Sequence, residues 1–187
     1  MKKVSIVLVS FLALAVMSFK AVSTKFISND VHISFFSHTA IEDISSNNFK
    51  VVSSIDAQTG DVVFSVPMQS FEFEKELMQK HFNSGDFLNT QTFPKSKFIG
   101  KITNLTAVNF SKDGTYNANI SGDLTIKEVT KPINATGTIT VAGGKISVNS
   151  KMSITLADYN ISFKKGKPST NIAKTIDITT QGNYTAQ

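Results

Sequence analysis

Tyr116-Asn117-Ala118-Asn119-Ile120-Ser121-Gly122-Asp123-Leu124-Thr125-Ile126 decides the fold. Its odd-numbered set, Asn117, Asn119, Ser121, Asp123 and Thr125, is polar. The even set, Tyr116, Ala118, Ile120, Gly122, Leu124 and Ile126, is apolar or small. Successive side chains of a β-strand point to opposite faces, so this order sorts into one wet face and one dry face, which no helix achieves. The alternation recurs downstream. Ile133, Ala135, Gly137, Ile139 and Val141 oppose Asn134, Thr136, Thr138 and Thr140, and Ile146, Val148, Met152, Ile154 and Leu156 follow. Between these strands, Lys112-Asp113-Gly114-Thr115 and Ala142-Gly143-Gly144-Lys145 supply the glycines of tight hairpins.

Upstream, strands are expected at Val31–Ser37, Asn48–Ile55, Asp61–Val66 and Lys97–Ile102, with a short one through Val108 and Phe110. A last one runs from Ala173 to Thr180. Strands that pair with their sequence neighbours and are dry on one face lose their exposed edges by closing on themselves. The expected fold is therefore all-β, an antiparallel up-and-down lipocalin-like barrel of about eight strands, with a two-sheet sandwich as the alternative.

One segment breaks the alternation. In Phe71-Glu72-Phe73-Glu74-Lys75-Glu76-Leu77-Met78-Gln79-Lys80-His81-Phe82, the residues Phe73, Leu77 and His81 recur at helical spacing, with Met78 and Phe82 as the neighbouring row. This predicts a short amphipathic helix from Phe73 to Phe82, with glutamates at its dipole-favoured start and Gly85 just beyond its end. The helix and the Phe87-Leu88 to Phe93-Pro94 loop carry enough apolar surface to cover one end of a barrel, either as a plug or as the lid of a cavity.

The composition removes several function classes. The chain of 187 residues is long enough for one domain, and 41% hydrophobic with 18% charged residues is a globular balance. Without cysteine there is no disulfide framework and no thiolate chemistry. The net charge of +5 comes from 19 basic residues that are all lysine. The bidentate fork that clamps a phosphate or reads guanine is missing, so no nucleic-acid partner is expected.

Met1-Lys2-Lys3, an apolar run from Val4 to Val16, and the small residues Ser18, Ala21 and Ser23 follow signal-peptide order. The run is well short of the roughly 20 residues that span a bilayer. The expected division is 1–23 as a cleaved leader and 24–187 as the barrel domain, in a periplasmic or secreted protein.

Two stretches carry a family resemblance. The run Leu77 to Ile102, LMQKHFNSGDFLNTQTFPKSKFIGKI, and the pair Gly122-Asp123-Leu124-Thr125-Ile126 and Val129-Thr130-Lys131-Pro132-Ile133 resemble the two signatures of the YceI-like lipid and polyisoprenoid-binding family. The likeness covers Thr24 to Ile161. It implies an exported bacterial protein whose lipocalin-like barrel holds a long isoprenoid or acyl chain. Glu128 stands where that pattern usually has Gly, and Asp158-Tyr159-Asn160 replaces an Asp-Phe-Gly.

The expected function is thus a non-enzymatic binding protein that holds an elongated apolar ligand: a polyisoprenoid, an isoprenoid quinone or a fatty-acyl chain. The alternatives are an envelope or stress-related interaction protein with a filled barrel, and an enzyme acting on a lipid-like substrate through His81. Along the barrel axis the candidate ligand-binding residues are Phe35, Phe64, Phe98, Tyr116, Ile120, Leu124, Ile139, Met152 and Ile154. Leu77, Met78, His81 and Phe87 would close one end. The small inward residues Ala118, Gly122, Ala135 and Gly137 are read as leaving apolar space unless large side chains such as Phe35, Phe64, Phe98 and Met152 fill it.

No catalytic motif, cofactor or metal site is expected. His32 and His38 lie six residues apart on a strand, roughly 20 Å, too far to share a metal. The lysines Lys164, Lys165 and Lys167 suit a solvated loop or a transient contact with a membrane surface. The oligomeric state stays open, a dimer included.

Overall fold

A computed structural model describes residues 24–162 and 171–187. Eight strands follow in chain order: β1 (Lys25–His38), β2 (Asp43–Asp56), β3 (Asp61–Pro67), β4 (Lys95–Ile102), β5 (Gly114–Ile126), β6 (Val129–Ala142), β7 (Lys145–Thr155) and β8 (Thr175–Ala186). Each pairs antiparallel with the next, and β8 pairs antiparallel with β1, closing the barrel. The sandwich alternative falls, because each of the eight strands has a hydrogen-bonded neighbour on both sides and the strand order closes on itself.

The alternation that predicted β5 sets its register. Ala118, Leu124 and Ile126 are buried, whereas Asn117, Asn119, Ser121 and Asp123 face solvent. Pairing of Tyr116 with Ile139 and of Ile120 with Ala135 places the dry sets of β5 and β6 side by side. Gly143 and Gly144, both at positive φ, make the β6–β7 turn. At the β5–β6 turn the positive φ falls on Lys127 and not on Glu128, which explains why a Glu is accommodated there.

Two local expectations change. Val108 and Phe110 form no strand: a 3₁₀ turn at Leu105–Ala107 precedes them, Val108 is buried, and the Phe110 ring stacks on Phe26 at 5.8 Å to help close one barrel end. The single α-helix among the described residues, α1, runs from Glu76 to Asn83. Phe71 to Phe73 are extended instead, since Glu72 pairs with Asn47 of β2 through two backbone hydrogen bonds and its carbonyl also accepts from Ser46 Oγ at 2.8 Å. Those bonds hold the segment as an added strand-like piece, and the helix starts only after it.

The expected leader at 1–23 and the lysines at 164, 165 and 167 lie outside the described residues.

Candidate ligand-binding site

The barrel interior has two unequal halves. At the end covered by α1, the strands and the helix enclose a chamber of about 720 Å³, within the roughly 300–1,000 Å³ usual for small-molecule sites. Toward the opposite end only about 70 Å³ remains, among Phe64, Phe98, Ile120 and Ile139.

The filled half has an identifiable cause. The Phe64 and Phe98 rings lie 6.2 Å apart, and the Phe98 ring occupies the space beside Gly100 and Gly122. A Cβ on Gly122 would come 2.8 Å from that ring and 2.4 Å from the Gly100 Cα. A Cβ on Gly137 would meet the Asn149 carbonyl oxygen at 2.4 Å. These inward glycines therefore admit a neighbouring ring and close strand approach, and they leave no ligand volume. Ala135 borders only the small void, and Ala118, which also borders it, is buried.

The open half is lined by strand residues and roofed by aromatics. Phe35, Leu124, Met152 and Ile154 project into it from β1, β5 and β7, and Leu77, Met78, His81 and Phe87 border it from α1 and the loop that follows. Phe64, Phe98, Ile120 and Ile139 belong to the floor below, which Leu124 and Met152 also touch. Tyr116 borders neither space. It begins β5 at the far end of the barrel, where its hydroxyl donates to the Lys112 carbonyl at 2.8 Å.

Sequence reasoning missed much of the lining. Ile33 and Ile44, Val66 and Met68, Phe71 and Phe73, Ile176 and Ile178 all face the chamber. Alternation in β8 would have found the last two.

The roof is an aromatic cluster centred on Phe82. Its ring lies 5.0 Å from Phe73, 5.4 Å from Phe71, 5.9 Å from Phe35 and 6.5 Å from Phe87. Tilted and offset pairs at such separations favour one another beyond simple area burial. Phe82 is 7% exposed and anchors α1, whereas Leu77 is 63% exposed and sits at the rim. The helix therefore docks through Phe82 with Met78 half-buried beside it, and Leu77 and His81 are turned toward the mouth.

The loop beyond α1 is tied to the β5–β6 hairpin. Lys127 Nζ lies 3.4 Å from the Phe87 carbonyl and 5.9 Å from the centre of the Phe93 ring.

The charged groups of the lining, Glu42 and Lys75, meet Asn171 at the mouth, and two buried serines, Ser37 and Ser96, also border the chamber. Lys75, which precedes α1, pairs with Glu42 at 2.7 Å, and Asn171 donates to the other Glu42 oxygen at 3.2 Å. The hydrogen bonds from Lys75 and Asn171 hold the Glu42 carboxyl below its ordinary range, and the bond to Glu42 raises Lys75. The β1–β2 turn, the start of α1 and the segment before β8 thus meet at one carboxylate. Such an exposed pair adds little stability, but it fixes where three segments lie.

No cluster of His, Asp or Glu suited to a metal occurs among the described residues. What the site offers chemically is an apolar enclosure with one polar rim.

Comparison with known proteins agrees with this architecture. "Protein YceI" of Escherichia coli is 31% identical over 105 residues, 53% of this chain and 51% of that protein. A UPF0312 protein of Pseudomonas putida is 32% identical over 109 residues, 55% of this chain and 52% of that protein. The matches thus span about half the length of these relatives. Among solved structures, a polyisoprenoid binding domain from Saccharophagus degradans, implicated in plant cell wall breakdown, superposes with a TM-score of 0.71 at 12% identity, covering 88% of this chain and 99% of that one. Burkholderia cenocepacia BcnA gives 0.68 at 16% identity, covering 82% and 95%. The family model of the YceI-like domain matches residues 16–184, and the chain belongs to that family.

Proposed function

We propose that this protein is an exported, non-enzymatic carrier that holds one elongated apolar chain, a polyisoprenoid, an isoprenoid quinone or a fatty-acyl lipid, in the chamber beneath α1. The observation that carries the reading is the chamber itself. A space of about 720 Å³ walled by Ile, Leu, Met and Phe has no use for an ionic or sugar ligand, and a barrel meant to be filled would have closed it as the Phe64–Phe98 half is closed. The fold shared with a polyisoprenoid binding domain supports the same ligand class.

The ligand enters from the rim formed by Leu77, His81, Lys75 and Glu42, apolar end first, and stops at the Phe64–Phe98 floor. Its polar end stays at the mouth, where Glu42, Lys75 and Asn171 are. Each buried methylene contributes about 0.8 kcal/mol, so about ten of them give ~8 kcal/mol before the cost of immobilising the chain. Export rests on the leader sequence of residues 1–23, and the intact mass of the secreted product tests it.

Mass spectrometry of an organic extract, made from protein purified without detergent, tests the function. The expected result is one class of long-chain lipid in near-stoichiometric amount. An empty extract, together with no uptake of isoprenoid or acyl chains by the same protein, would overturn the proposal.

A further inference from the structure

The outer surface of the barrel carries a second concavity, a groove of about 490 Å³ across β6, β7, β8 and β1. The outside of a barrel is normally convex, and here the depression has a local cause. β1 shifts register between Ser28 and Val31 and again between Val31 and Ile33. Opposite it, β8 has Gly182, whose Cβ would come 2.9 Å from Val31 Cγ2. Without that atom β8 settles onto the bulged strand, as bulges and close-approach glycines permit.

Strand register then arranges the groove's side chains in two rows. Thr138 pairs with Asn149, Asn149 with Gln181, and Gln181 with His32. In the adjoining row Thr140 pairs with Ser147 and Ser147 with Asn183, with Asp30 at the groove's β1 side. Neighbouring strands lie about 4.8 Å apart, so each row spans roughly 15 Å. The side-chain amides of Asn149, Gln181 and Asn183 are exposed and make no hydrogen bond to one another or to other described residues. At the end of the first row His32 stacks on Phe49 with ring centres 4.4 Å apart, and it is held there by Asn47 Oδ1 at 2.8 Å. Phe49 lies beyond His32, outside the groove's lining, and is 49% exposed, so the stacked pair forms the aromatic end of the groove.

We infer that this groove is a second binding site, separate from the chamber, and that its ligand is a neutral oligosaccharide. Amides and hydroxyls in register supply paired donors and acceptors for vicinal hydroxyl groups, and an exposed aromatic face receives the C–H side of a sugar ring. Other ligand classes fit worse. The lining has no lysine and one carboxylate, which gives nothing to a phosphate backbone, and it lacks the apolar centre of a protein interface.

Calorimetric titration of the intact protein with neutral glucose and N-acetylglucosamine tetrasaccharides tests the assignment. At least one is expected to bind with an affinity insensitive to salt. Gln181→Ala and Phe49→Ala, both at exposed positions, should each weaken it by roughly tenfold, the loss of a hydrogen-bonded pair or a stacking face. Uptake of apolar chains by the chamber should be unchanged in both variants. The inference is overturned by absence of binding to every tetrasaccharide, by binding that both variants retain, or by affinity that falls steeply with salt.

Discussion

Tyr159 is 2% exposed, yet its hydroxyl has no hydrogen-bond partner among the described residues. Burial, and to a lesser degree Asp158, raises its pKa. A buried hydroxyl without a partner costs about 1–3 kcal/mol of desolvation. Tyr159→Phe should therefore raise stability by about 1 kcal/mol in urea unfolding, which is consistent with the Phe at this place in the family pattern. The next residue, Asn160, adopts φ +53 as a 3₁₀-turn cap, a left-handed conformation that Asn tolerates and Gly favours.

Tyr184 is the opposite case, with its hydroxyl donating to Ser53 Oγ at 2.9 Å and its pKa pushed up to about 12 by burial. The unfolded chain ionises near the ordinary tyrosine value of about 10 while the native state keeps its proton. Stability is thus full below about pH 10 and falls as pH rises through the native value, by roughly 2–3 kcal/mol in all. Tyr184→Phe should lose about 1 kcal/mol at neutral pH for the missing hydrogen bond, and it should flatten the alkaline decline. Urea midpoints measured between pH 8 and pH 12 check both.

At the scale of elements, α1 and its flanking loop separate docking from ligand contact. Phe82→Ala removes the centre of the aromatic roof and should cost about 3–5 kcal/mol. Leu77→Asp changes a rim residue that is mostly exposed, so the melting temperature should barely move while apolar-chain affinity drops. Parallel thermal unfolding and lipid titration of the two variants distinguish the roles.

This helix also marks how far the residue pattern reads. Period-two alternation made β5, β6 and β7 legible, because one solvated face forces the polar and apolar sets apart. For α1 the helical spacing was visible, but Leu77 and Phe82 are equally apolar in sequence. Only the strand-like pairing of Glu72 with Asn47 determines where the helix starts and which face turns inward. The glycines misled for a related reason. A missing Cβ does not say whether a ligand, a Phe98 ring or a neighbouring strand takes its place. Long-range contacts of this kind, such as Lys127 with Phe87, join segments whose sequences carry no mutual signal.

One barrel divided into an open and a filled half sets what the molecule can hold. It fixes how ligand length should act, because a chain gains contact only until it reaches the Phe64–Phe98 floor. Met152 borders both the chamber and the small void, so Met152→Trp should occupy chamber volume at their junction and shorten the longest chain accepted.

The most direct test is the equilibrium affinity of delipidated protein for a homologous series of straight-chain alcohols. The division predicts a gain of up to about fourfold per added methylene, a plateau once the chamber is full, and an earlier plateau for Met152→Trp. No uptake of any chain, or an affinity indifferent both to chain length and to Met152→Trp, would contradict it.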